Sequence, residues 1–118
     1  MGTRRTPAAT PPAIDPEAMR EHASDAARLL RALGNERRLQ LLCLLVEGER
    51  SVGELNARLE LSQSALSQHL ALLREQGLVR TRREAQTIYY ALVPGPAQRV
   101  LDTLHGIYCA SRPLCADD

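Results

Sequence analysis

The chain has no Trp, no Phe and no Lys, and only three Tyr. A core without large aromatic rings has to be built from aliphatic side chains, and Leu is the one this sequence supplies most freely. With Lys absent, all 15 positive side chains are Arg. Long apolar runs are absent as well. The longest is Leu41 to Val46, far short of the roughly 20 residues that cross a bilayer. The first sixteen residues, MGTRRTPAATPPAIDP, hold two Arg but no apolar segment, so no secretory leader is expected. The expectation is a cytoplasmic protein with no membrane partner. Cysteine is scarce: Cys43, Cys109 and Cys115 are the full set. An odd number of thiols in a reducing compartment argues against a structural disulfide framework.

What is present fits one small folded domain. The 118 residues are 44% hydrophobic and 25% charged, ordinary values for a globular chain. The net charge of +1 conceals an alternation: +2 over 1–40, −2 over 41–61, +2 over 62–90 and −1 over 91–118. Two mildly basic segments around an acidic one fit a single DNA-facing surface, and fit plain scatter equally well.

Residues 1–16 carry four Pro and read as a disordered arm, and 111–118 as a flexible tail, leaving a domain over 17–110. From Glu17 the pattern is helical: Met19, Ala23, Ala26, Leu30 and Leu33 form one apolar stripe. Gly34 is placed to close this helix in the left-handed conformation, and Asn35 to cap the next. That second helix, about Glu36 to Val46, puts Leu39, Leu42, Cys43 and Val46 on one face, and Gly48 ends it. Ser51 with Glu54 spells a capping box. It opens a short helix with Val52, Leu55 and Leu59 inward. After a turn at Glu60-Leu61, Ser62 caps a further helix, Gln63 to about Glu75, with Leu66, Leu70 and Leu73 buried. Leu78–Thr81 and Thr87–Val93 then read as strands around a charged tip, Arg82-Arg83-Glu84-Ala85. Pro94-Gly95-Pro96 breaks the chain before a last helix, about Ala97 to Cys109, with Val100, Leu101, Leu104 and Tyr108 apolar.

A short helix, a tight turn and a second helix describe a helix-turn-helix, and the hairpin after it makes a winged helix. The fold class expected is mainly α with a small β-hairpin. The second helix begins SQSALSQHLALL. Away from its leucines it offers Gln63, Ser64, Ser67 and Gln68, short uncharged hydrogen-bonding groups near a helix N-terminus. Gln can pair with adenine through two hydrogen bonds, and Ser can meet a base or a phosphate. Arg82 and Arg83 on the hairpin are the candidate phosphate or minor-groove contacts. The plainer alternatives are a solvated helix face and a solvated turn. Double-stranded DNA is the partner these residues point to. The apolar stripes on both terminal helices point to a homodimer, which would match two half-sites. An enzyme is not indicated. There is no Cys-x-x-Cys pair, no Ser/His/Asp constellation and no glycine-rich phosphate loop, and no cofactor is expected.

The segments ALGNERRLQLLCLL and SVGELNARLELSQSALSQHLALLREQGLVRTRREAQTIYYAL resemble the ArsR/SmtB family of bacterial winged-helix repressors over roughly residues 17–110. The resemblance implies a homodimer formed through the first and last helices, an inverted-repeat operator, and an inducer that lowers DNA affinity. Metals are common inducers in that family. Where one family site has Cys-x-Cys, this chain has Ser51-Val52-Gly53-Glu54-Leu55. On the last helix Asp102, His105 and Cys109 share a face, but the second ligand pair of the other family site is missing, with Pro113 to Cys115 in its place. No metal site is assigned, although a zinc-type sensor stays an alternative.

By pattern alone Cys43, flanked by leucines, is an inert core residue. The resemblance changes its reading. The chain is similar to the BigR/SqrR/HlyU-type branch, which senses persulfides and polysulfides and has one Cys in the second helix and one in the last. Cys43 and Cys109 occupy those places; Cys115 has no counterpart. The resemblance therefore implies release from DNA when Cys43 and Cys109 react with a persulfide or polysulfide inducer. A simple disulfide switch is the other alternative. Cys109 is expected to be the more accessible thiol and Cys43 to react second.

Overall fold

The computed structural model describes residues 13–109. Cys115, the tail over 111–118 and residues 1–12 of the arm expected over 1–16 lie outside the described residues. Five helices and three strands follow in the order α1 (Pro16–Leu33), α2 (Glu36–Val46), β1 (Arg50–Ser51), α3 (Val52–Arg58), α4 (Gln63–Glu75), β2 (Val79–Glu84), β3 (Thr87–Leu92) and α5 (Pro96–Tyr108). This is a winged helix-turn-helix, as the sequence pattern leads one to expect.

Local chemistry sets the helix boundaries. The Asp15 carboxylate accepts from the Glu17 amide at 3.0 Å and Pro16 occupies the first turn, so α1 starts one residue before the apolar stripe suggests. Asn35 Oδ1 accepts from the Arg38 amide at 3.0 Å. Both halves of the capping box form: Glu54 N donates to Ser51 Oγ at 3.1 Å, and Ser51 N donates to Glu54 Oε1 at 2.8 Å. Gly34 departs from expectation. Its φ is −83°, so α1 does not end in a left-handed residue. A Cβ there would lie 3.0 Å from the Leu30 carbonyl oxygen, a tight contact that glycine avoids.

The core is aliphatic. Leu41, Leu42, Leu55, Leu66, Leu70 and Leu73 are its largest fully buried side chains, joined by Leu33, Leu45, Leu59, Val79, Leu92 and Leu101. The inward face of α2 differs from the expected one: Leu41, Leu42 and Leu45 are buried, while Cys43 is exposed and Val46 is 39% exposed. A run of six apolar residues makes every face of the helix look alike, so composition could not fix its phase. Most of the α1 stripe is also open. Leu33 is buried, but Met19 is 49% and Leu30 60% exposed, and on α5 Ile107 and Tyr108 are exposed as well.

The sheet is antiparallel with order β1-β3-β2. Strand β1, which the sequence pattern does not reveal, pairs Arg50 with Tyr90 and Ser51 with Tyr89. The hairpin register runs from Val79↔Leu92 to Glu84↔Thr87. Only Ala85 and Gln86 are left for the turn, so Arg82, Arg83 and Glu84 belong to β2 and not to a loop tip. Ala85 takes φ 56°, a left-handed conformation that glycine would adopt at less cost.

Candidate functional site

Helix α4 is fixed by its own leucines and by its cap. Leu66, Leu70 and Leu73 face the core, and Ser62 Oγ accepts from the Ala65 amide at 3.0 Å. Gln63, Ser64, Ser67 and Gln68 are all exposed. The structure thus brings the four expected reading residues together on the first two turns of one helix. Their amide and hydroxyl groups can donate to or accept from base edges.

The two hairpin arginines differ sharply. Successive residues of a strand point to opposite faces. Arg82 pairs with Tyr89 and lies over its ring, 4.7 Å from the centroid. Its Nε and Nη2 donate to the two Glu49 carboxylate oxygens at 2.9 and 2.8 Å, and Nη1 donates to Glu84 at 2.8 Å. The hydrogen bond from Arg82 holds the Glu49 carboxyl below the usual carboxylate range. Arg83 lies on the other face, the one shared by Thr81 and Tyr90. Tyr90 lines a cleft against α4 together with Ser67 and Arg74. Arg83 is exposed and has no ion-pair partner among the described residues. Arg83 is therefore on the wing face that turns toward the reading helix, and Arg82 is held away from it.

A second arginine links α1 to α4. Arg38 donates through Nε to the Ala32 carbonyl at 2.7 Å and through Nη2 to the Arg31 carbonyl at 3.1 Å. These are last-turn carbonyls of α1; that of Arg31 also accepts from the Gly34 amide at 3.3 Å. The same guanidinium approaches His69 Nδ1 on α4 at 3.5 Å. Desolvation and then the Arg38 charge push the His69 imidazole below its ordinary value.

The thiols come from α2 and α5, which pack on one another. Cys43 is exposed on α2, and Cys109 is half-buried at the end of α5, where its amide donates to the His105 carbonyl at 2.7 Å. This order of exposure is the reverse of the expected one. Partial burial raises the Cys43 pKa, and repulsion between the two thiolates raises it further. Packing of α2 on α5 brings to one side of the fold two helices whose thiols are 66 positions apart in sequence. Cys43 also lines a cleft with Val46, Glu47, Leu101, Asp102 and His105. Asp102, His105 and Cys109 do not form a metal-ligand cluster among the described residues.

Sequence reasoning missed Arg38 and Glu49. Both act through folding contacts with distant residues, which no local spacing announces.

The model of the bacterial regulatory protein, arsR family, matches residues 35–81, from the cap of α2 into β2. The transcriptional activator HlyU of Vibrio cholerae is 56% identical over 91 residues, covering 77% of this chain and 84% of that protein. The biofilm growth-associated repressor of Agrobacterium fabrum is 48% identical over 93 residues, covering 79% of this chain and 80% of that one. The crystal structure of the transcriptional repressor BigR from Xylella fastidiosa superposes with a TM-score of 0.77 at 43% identity, covering 81% of this chain and 98% of that one. A capped reading helix, a wing and identity at this level over most of both lengths leave one assignment: the chain belongs to the ArsR family and is a winged-helix transcriptional regulator.

Proposed function

We propose that this regulator is a homodimeric repressor that binds an inverted-repeat operator and leaves it when Cys43 and Cys109 react with persulfides or polysulfides. Gln63, Ser64, Ser67 and Gln68 read the major groove, Arg83 neutralises a phosphate, and Arg82 shapes the wing through Glu49. The exposed apolar residues of α1 and α5 form the dimer contact. The observation that carries the sensing part is an exposed thiol on α2 and a second thiol at the end of α5, the helix that packs on α2.

The chemistry balances without an external oxidant. The Cys43 thiolate attacks the outer sulfur of a persulfide RS–SH, giving Cys43–S–SH and RS⁻, and a second donor does the same at Cys109. The Cys43 persulfide anion then attacks the inner sulfur of the Cys109 persulfide and expels HS⁻. The product is a trisulfide bridge with one added sulfur. The bridge ties α5 to α2 and shifts the two reading helices relative to their half-sites. A tenfold loss of affinity needs only about 1.4 kcal/mol of coupling.

Intact mass after treatment with a persulfide donor, alongside operator binding, tests this. Bridged protein with added sulfur and lost binding is expected. Cys43→Ser and Cys109→Ser should bind DNA and fail to respond, and Cys115→Ser should respond like the parent. A bridge without added sulfur makes the protein a disulfide switch, and tight zinc that releases DNA makes it a metal sensor. Either result overturns the proposal.

A further inference from the structure

Cys43 stands between two clefts of opposite character. On the α5 side its neighbours include the carboxylates of Glu47 and Asp102. On the other side lies a cleft of about 580 Å³ between α2 and the end of α3, lined by Arg37, Gln40, Cys43, Arg58 and Glu60 among others. Two guanidiniums face one carboxylate there. Neither Arg37 nor Arg58 forms an ion pair among the described residues. Arg37 spends one weak hydrogen bond, 3.4 Å, on the Gln40 amide oxygen. Both arginines are exposed.

We propose that this cleft is the docking site of the sulfur donor, and that the donor is a small persulfide bearing a carboxylate. The inference rests on Cys43 being the sensing thiol and adds the side of approach and the chemical class of the reactant. Forked guanidinium groups pair well with carboxylates. The acidic cleft on the α5 side repels the same molecule, so Cys43 takes up sulfur first and Cys109 second. In the docked complex the Cys43 thiolate attacks the outer sulfur of R–S–SH. The donor S–S bond breaks, the outer sulfur stays on Cys43 with its proton as Cys43–S–SH, and RS⁻ departs carrying the electron pair of the broken bond. Arg37 and Arg58 hold the carboxylate of R through this step; they are positioning residues and touch no reacting atom.

The test uses the full chain with Cys43 as its sole thiol, Cys109→Ser/Cys115→Ser. Two matched pairs of reagents differ in charge. One pair is the persulfides of 3-mercaptopropionate and 2-mercaptoethanol. The other is the dianionic disulfide 5,5′-dithiobis(2-nitrobenzoate) and uncharged 4,4′-dithiodipyridine. Adding Arg37→Gln/Arg58→Gln should slow the anionic member of each pair, by about threefold per arginine and about tenfold for both. The uncharged members should react as before, which also shows that the variant is folded. Arg37→Lys/Arg58→Lys should recover most of the anionic rate, and about 0.5 M salt should erase the difference. Equal slowing of charged and uncharged reagents, or no slowing of either, overturns the docking site. A charge-selective loss with the aromatic disulfides, in a protein whose DNA binding ignores persulfides, upholds the cleft while removing the sensing function it was built on.

Discussion

Deleting the Glu49–Arg82 pair should leave the salt dependence of DNA binding unchanged, whereas deleting Arg83 alone should flatten it. Arg82 gives both forks of its guanidinium to Glu49 and a third hydrogen bond to Glu84, and it is stacked on Tyr89. Its charge is spent inside the wing. Arg83, one residue on, points to the face shared with Tyr90 and has no such partner among the described residues. Each phosphate neutralised adds about 0.9 to the slope of log K against log salt. In the proposed dimer two wings act, so the loss for Arg83→Ala is about 1.8, or about twelvefold in relative affinity between roughly 50 and 200 mM salt. Glu49→Ala/Arg82→Ala removes one charge of each sign and should shift the slope by less than about 0.3. Anisotropy titrations of a labelled random-sequence duplex at four salt concentrations measure this directly, because phosphate contacts do not depend on sequence. If the paired deletion flattens the slope as much as Arg83→Ala does, the clamp opens on DNA and the division between the two arginines is wrong.

Further outcomes follow from other contacts. Burial raises the Cys43 pKa and keeps the thiol mostly protonated near neutrality, so its alkylation by iodoacetamide should speed up about tenfold from pH 7 to 8. Ala85→Gly relieves the positive φ at the wing turn and should stabilise the fold by about 0.5–1 kcal/mol in urea unfolding. Arg38→Lys cannot bond both α1 carbonyls and should cost about 1–2 kcal/mol in the same assay. His69 is pushed down by desolvation and Arg38, so the folded state binds its proton more weakly than the unfolded one. Its contribution is complete above about pH 6.5 and is lost as pH falls through the lower folded value. His69→Gln should flatten the decline of stability below that point.

Much of the fold was legible because its signals are local. Ser51 and Glu54, Asn35, and Leu66-Leu70-Leu73 each declare a cap or a face within eight residues, and the structure contains them all. The exposed Ser/Gln face of α4 was legible for the same reason. What failed had no local signature. The apolar run Leu41–Val46 offers every phase equally, so Cys43 was placed inward when it is exposed. Two residues, Arg50 and Ser51, are too few to read as a strand, and they become one only because β3 lies beside them. Arg82 and Arg83 look equivalent in sequence; strand alternation and a glutamate 33 positions earlier separate them. The Arg37/Arg58 cleft beside Cys43 depends on α2 meeting the end of α3, which only the packed core decides.

A single guanidinium, that of Arg38, grips the end of α1 and meets α4. In a two-fold dimer built on α1, this makes each protomer a stiff crank, with its pivot at the subunit contact and its handle in the major groove. Half-sites about 34 Å apart put each handle about 17 Å from the axis, so a turn of about 10° at the pivot carries it about 3 Å along or across the groove. That displacement spoils hydrogen bonds that tolerate only a few tenths of an ångström. Small rotations between subunits therefore suffice to change occupancy of an operator, and no part of the reading helix has to unfold or repack for the regulator to let go.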